Sequence, residues 1–268
     1  MRRPEPPRGR VRLAAVLREA KGLVTVDDAV RALRVERRDA AKLLARWVEQ
    51  GWLRRARRGV YVPVALDAAA RDRSVENPWL FVPQLFAPGY VGGWSAAEHW
   101  GLTEQVFRSI CVFSARPFRS KRVRVEGTDF ILHRTSEDAL FGTSMLWVER
   151  TRVLISDVDR TLVDMLSRPV TGGGIRNVDA CLSAWLVSPR HNADRLIDYA
   201  DQLGNGAVFK RLGFLLSLRR TADSVLIDAC RTRLSSGNAR LDPRLTSAHL
   251  VSRWRLWVPR GWSRALTR

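Results

Sequence analysis

Arg38, Lys42 and Arg46 recur at every fourth residue. At about 100° of turn per helical residue, that spacing sets three cations on one face of a rod. Ala45 and Glu49 fall on the same face, and Arg37 stands at its start. Arginine offers paired donors to a guanine edge, and a side chain as small as Ala45 can approach a thymine methyl, so the face has the chemistry to read a DNA major groove. A few residues on, Arg54, Arg55, Arg57 and Arg58 crowd together before Gly59, a basic tip suited to phosphates or to the minor groove. The plainer alternative is a small helical domain whose charged face is merely solvated. A basic tip beside a basic helix weighs against that alternative.

Other residues invite chemistry and are better read structurally. Ser95 and His99 sit four apart, but Gly93-Trp94-Ser95-Ala96-Ala97 lacks the second glycine of a hydrolase elbow. Ser95 with Glu98 has instead the form of a capping box, predicting a tiny helix near 96–100 ended by Gly101. Asp157 and Asp159 resemble half a metal site, yet acids are favoured in a first helical turn by the macrodipole alone. Gly172-Gly173-Gly174 lacks the Lys-Ser/Thr of a phosphate loop and reads as a joint between helices. The only Glu-x-Lys triplet, Glu19-Ala20-Lys21, lies in the first helix. His99, His133, His191 and His249 have no partner at ligand spacing. No catalytic residue, metal or cofactor is expected, and the protein reads as a non-enzyme. Arg119, Lys121, Arg122 and Arg124, with Arg116 just before them, form a second basic cluster. It suits a further nucleic-acid contact, although a solvated loop and edge strand explains it more simply. At the tail, Arg253 to Val258 reads as a final strand with Trp254, Leu256 and Val258 on one face. Its arginines interleaved with tryptophan suit stacking on unpaired bases, and an edge strand completing the sheet is the slightly simpler reading.

The elements that must position the cations follow from periodicity. Ala40, Leu43, Leu44, Trp47 and Val48 mark the apolar stripe of a helix over 37–50, and Gly51 ends it. Thr25 to Asp28 has the form of a capping box that opens a shorter helix, 26–33. With a first helix near 11–20 and a hairpin over 52–62, the order is that of a winged helix-turn-helix. The fold class expected is α+β: this winged helix-turn-helix, then a larger mixed domain with a mainly antiparallel sheet and a C-terminal helical bundle. Residues 1–10 read as a disordered basic arm, 11–64 as the DNA-binding domain, 65–73 as a helix-prone linker and 78–268 as the larger domain. In the latter, a helix is predicted over 78–85 and strands near 109–113, 123–125, 130–133, 146–148 and 153–155. Turn residues at 126–129 and 149–152 make two hairpins. Ser156 is expected to cap a helix over 157–167, with further helices near 175–187, 191–203, 206–219 and 223–234.

Composition narrows the partners. The net charge of the 268 residues is +19, and it sits at the ends. Residues 1–62 hold 17 Lys and Arg against 7 Asp and Glu, and residues 240–268 hold 7 against 1. A polyanion is the natural partner, and nucleic acid the commonest one. No apolar run approaches the roughly 18 residues of a membrane span, and the basic N-terminus has no apolar segment of a signal peptide after it. Cys111, Cys181 and Cys230 are odd in number and far apart, which fits a reducing cytoplasm better than a disulfide framework.

Four segments together resemble the AbiEi antitoxin family. They are the winged helix at 11–62; Gly93-Trp94-Ser95-Ala96 through Gly101-Leu102 to Gln105; Arg160-Thr161-Leu162 with Asp164, Arg168-Pro169 and Gly172-Gly173-Gly174-Ile175; and Lys210-Arg211-Leu212-Gly213. The resemblance spans about residues 11–220. It implies a bacterial transcriptional repressor that binds double-stranded DNA at inverted repeats in the promoter of its own operon. It also implies a functional partner, a nucleotidyltransferase-like toxin that the larger domain counteracts without needing a tight complex. Two other readings stand beside it: a DNA-processing, nuclease-like protein, and a module that binds the toxin or RNA directly.

Overall fold

A computed structural model describes residues 8–20, 22–64, 77–219, 224–260 and 262. The first unit is built from α1 (Arg8–Glu19), β1 (Val24–Thr25), α2 (Val26–Leu33), α3 (Arg37–Glu49), β2 (Leu53–Arg57) and β3 (Val60–Pro63). Residues 8–10, expected in a disordered arm, form the first turn of α1 instead. Residues 1–7 of that arm, and the linker expected at 65–73, lie outside the described residues.

The box that opens α2 is complete. Thr25 Oγ accepts from the Asp28 backbone N–H at 3.2 Å, and an Asp28 oxygen accepts from the Thr25 N–H at 2.8 Å. The left-handed Arg34 ends α2, so the chain turns sharply into α3. Ala40, Leu44 and Trp47 of α3 are buried with Val16, Ala29, Leu53 and Tyr61. β3 lies between β1 and β2 in an antiparallel three-stranded sheet, which completes a winged-helix arrangement.

The larger unit starts with a 3-10 turn, Pro78–Leu80, running into α4 (Phe81–Leu85). It continues through β4 (Gly89–Val91), α5 (Gly93–His99), β5 (Ser109–Ser114), β6 (Arg122–Val125), β7 (Thr128–Arg134), β8 (Thr143–Val148) and β9 (Thr151–Ser156). These strands make one six-stranded sheet in the order β6-β7-β5-β4-β9-β8. The two predicted hairpins, β6–β7 and β8–β9, are antiparallel, as is β4–β5. The joins β5–β7 and β4–β9 are parallel. Then come α6 (Val158–Ser167), α7 (Ile175–Val187), α8 (Ala193–Leu203), α9 (Ala207–Ser217) and α10 (Ser224–Thr232). A small sheet closes the described chain: β10 (Ala239–Arg240), β11 (His249–Val251) and β12 (Leu256–Val258), with β12 in the middle. The tail is therefore not an edge strand of the main sheet. Trp254 precedes β12 in a 3-10 turn and is fully buried.

Two capping expectations are corrected. Ser95 lies inside α5, whose N-cap is Gly92, and its buried hydroxyl accepts the Cys111 N–H of β5 at 3.0 Å. Gly93 opens the helix at φ +54°, where a Cβ would stand 2.3 Å from the Thr171 carbonyl oxygen. α6 is capped by Asp157, which accepts from the Arg160 N–H at 2.8 Å, rather than by Ser156.

The motifs of the larger unit do structural work. Arg160 and Asp164 are fully buried and paired at 2.9 Å, and the Tyr90 hydroxyl donates to Asp164 at 2.9 Å. The Arg160 guanidinium also donates to Ala139 O at 2.9 Å and lies 4.1 Å from the centre of the Phe141 ring. Arg211 donates to the carbonyls of Leu166, Ser167, Arg240 and Leu241, tying α9 to the end of α6 and to β10. Gly213 lets α9 press on the Trp254 indole, where a Cβ would lie 2.1 Å from a ring carbon.

Apolar packing joins the two units. Leu23, Val60 and Val62 of the winged helix share a core with Phe81, Phe86, Val112, Phe130 and Ile155.

Candidate nucleic-acid interface

α3 turns its apolar stripe inward and leaves Arg38, Lys42, Ala45, Arg46 and Glu49 exposed together. The periodicity that buries Leu44 and Trp47 requires this, because residues on the opposite side of a 3.6-residue turn must face away. Among the described residues Arg38 and Arg46 have no acidic partner, and Lys42 approaches Asp39 only to 3.9 Å. Arg37, at the helix start, pairs with Asp27 of α2. Its charge is thus partly matched within the protein, whereas the row at 38, 42 and 46 is free to meet an anion.

In the wing, β2 and β3 are in register from Leu53 to Arg55, and a bulge at Ala56 shifts Arg57 opposite Val60. Ala56 packs on the larger unit's core, while Arg55, Arg57 and Arg58 are exposed. Arg54 has a different place. It is half-buried and pairs with Glu126 of the β6–β7 turn at 2.5 Å. Sequence reasoning grouped Arg54 with the tip because its partner lies far along the chain.

The second basic cluster divides. Arg119 and Lys121 are exposed on the loop between β5 and β6, and Arg122 and Arg124 project from edge strand β6 with Val123 and Val125 turned inward. Arg122 pairs with Asp129 at 2.6 Å, and this contact holds the Asp129 carboxyl below its ordinary range.

The residues that suggested catalysis or metal binding have protein partners. Asp157 caps α6 and accepts from the Tyr199 hydroxyl at 2.8 Å. Asp159 is buried and accepts from Trp185 Nε1 at 2.7 Å, from the Asn192 N–H at 3.0 Å and from Arg195 Nε at 2.5 Å. Glu19 pairs with Arg31 at 3.0 Å, and Lys21 lies outside the described residues. His99 packs edge-on against Trp100 and at a tilt to Trp79. His133 lies among Trp94 and Phe113 with a buried Nε2 that has no hydrogen-bond partner, and burial lowers its pKa to about 4. No helix among the described residues is long and apolar enough to cross a membrane.

Fold and surface define a class, winged-helix proteins that carry a second α/β unit. Within it, residues 11–64 match the family described as "Transcriptional regulator, AbiEi antitoxin", a match that covers the winged helix. Among solved structures, the fold is similar to that of the RV2827C protein from Mycobacterium tuberculosis. The TM-score is 0.65 and the identity 15%, over 98% of this chain and 96% of that one. No curated protein matches the chain.

Proposed function

We propose that the protein is a DNA-binding transcriptional repressor of its own operon and the antitoxin of a bacterial type IV toxin–antitoxin pair, acting in the cytoplasm. The observation that carries the reading is the exposed row of Arg38, Lys42 and Arg46, in which only Lys42 nears a carboxylate, Asp39 at 3.9 Å, on a helix whose other face is locked in the core. The family matched by residues 11–64 supports the regulatory role. α3 enters the major groove, where Arg38, Lys42 and Arg46 meet guanine edges and phosphates, Ala45 lies near the base methyls, and Glu49 accepts from cytosine. Arg55, Arg57 and Arg58 lie along the adjoining backbone. Arg54 serves the interface indirectly, by fixing the base of the wing to Glu126. The sites are inverted repeats in the operon's promoter, and the functional partner is a nucleotidyltransferase-like toxin.

A footprint on the DNA upstream of the coding region tests the reading. Each well-made base contact is worth about 1–3 kcal/mol, so replacing Arg38, Lys42 and Arg46 together with Ala should abolish protection. An unchanged footprint would defeat the proposal. Antitoxicity is read separately, by co-expression with the neighbouring toxin. A chain that leaves toxin-arrested growth unrelieved is not an antitoxin.

A further inference from the structure

Beside the wing lies a groove that belongs to both units. Its volume is about 550 Å³, and its walls carry Arg57 and Arg58 from the wing and Arg116 and Arg119 from the β5–β6 loop. No Asp or Glu is among the described residues that line it, and Phe86 and Phe118 contribute apolar surface. All four arginines are exposed and none has an acidic partner among the described residues. The loop wall is built rather than adventitious. Ser114 Oγ donates to the Phe86 carbonyl at 2.7 Å and accepts from the Arg116 N–H at 3.1 Å, and the Arg116 guanidinium reaches the Leu85 carbonyl at 3.4 Å. Four like charges facing one cleft repel one another, and that cost is relieved when an anion enters.

We infer that this groove receives the sugar–phosphate backbone of the duplex whose major groove takes α3, so that the larger unit is itself part of the DNA-binding surface. The inference rests on the DNA-binding reading and extends it past the wing. The link is Arg57 and Arg58, which belong at once to the wing tip and to the groove. A strand held by the tip runs on between them and Arg116 and Arg119, with its sugars over the half-buried Phe118 ring. Such contacts carry no base information. They strengthen binding to any duplex and make it more sensitive to salt.

The test uses the full chain with two duplexes, one from the DNA upstream of its coding region and a scrambled one of equal length. Binding is followed by fluorescence anisotropy over a series of KCl concentrations. Replacing Arg116 and Arg119 together with Gln should lower the slope of log affinity against log salt by about 1.8, at about 0.9 per phosphate contact. Affinity for both duplexes should fall by about tenfold or more, with the preference between them unchanged. Arg150→Gln with Arg152→Gln removes the same charge at the opposite edge of the sheet and should leave the slope as it is. A groove variant with the wild-type slope on both duplexes overturns the inference. Preference that survives Ala at 38, 42 and 46 overturns the major-groove reading alone, because the slope comparison does not depend on it.

Discussion

Asp164 is a carboxylate in a place where water cannot reach it, and two neighbours make that tolerable. Arg160 supplies the charge and Tyr90 a second donor, all three fully buried. Removing one member strands the others, so Asp164→Ala should cost about 3–5 kcal/mol, read as a lower urea midpoint. Tyr90→Phe deletes only one donor and should cost about 1–2 kcal/mol. His133 predicts a pH effect of definite sign. Its pKa falls from the ordinary 6.5 to about 4, chiefly through burial and then through Arg168 and Lys121. The unfolded chain therefore takes up the proton first. This contribution to stability is complete above pH 6.5 and is lost as the pH falls toward 4, by up to about 1.4 kcal/mol per unit. His133→Phe keeps a ring against Trp94 and Phe113, and urea titrations across that range should show a flatter pH dependence than the wild type. An identical dependence would mean that His133 titrates as it would in water.

At the scale of elements, what the sequence makes legible depends on how far away the deciding partner lies. α3 can be read because its apolar stripe and its cationic face are set by one local period. The hairpins β6–β7 and β8–β9 can be read because their turns join neighbours. β4 has only three residues, and its partner across the parallel join is Ile155 on β9. No local pattern announces that pairing. The small C-terminal sheet is hidden for the same reason, with strands of two and three residues. Ser95 and Glu98 imitate a cap, yet the Ser95 hydroxyl serves the Cys111 N–H on a neighbouring strand, a contact between distant segments. Of the exposed basic surface, the row at 38, 42 and 46 is legible, while the pairing of Arg54 and the groove depend on contacts with residues past 110. Two changes test the elements themselves. Thr25→Ala removes the box at α2 and should cost about 1 kcal/mol. Gly213→Ala forces a methyl into the Trp254 indole and should cost about 1–3 kcal/mol, seen as a lower thermal midpoint.

Across the whole molecule, the winged helix and the larger unit divide the cations between them and share an apolar seam. Leu23, Val60 and Val62 reach across it toward Phe81 and Phe86, and Arg54 and Glu126 close its rim. A wing fastened in this way holds its angle against the sheet. Severed after residue 64, the winged helix would lose the cover over those side chains, and it should aggregate on expression where the full chain stays dispersed. The protein would then work as a calliper with one fixed jaw. On the proposed reading, that fixed angle is also the pitch at which α3 meets the double strand, set by the seam and not by the DNA.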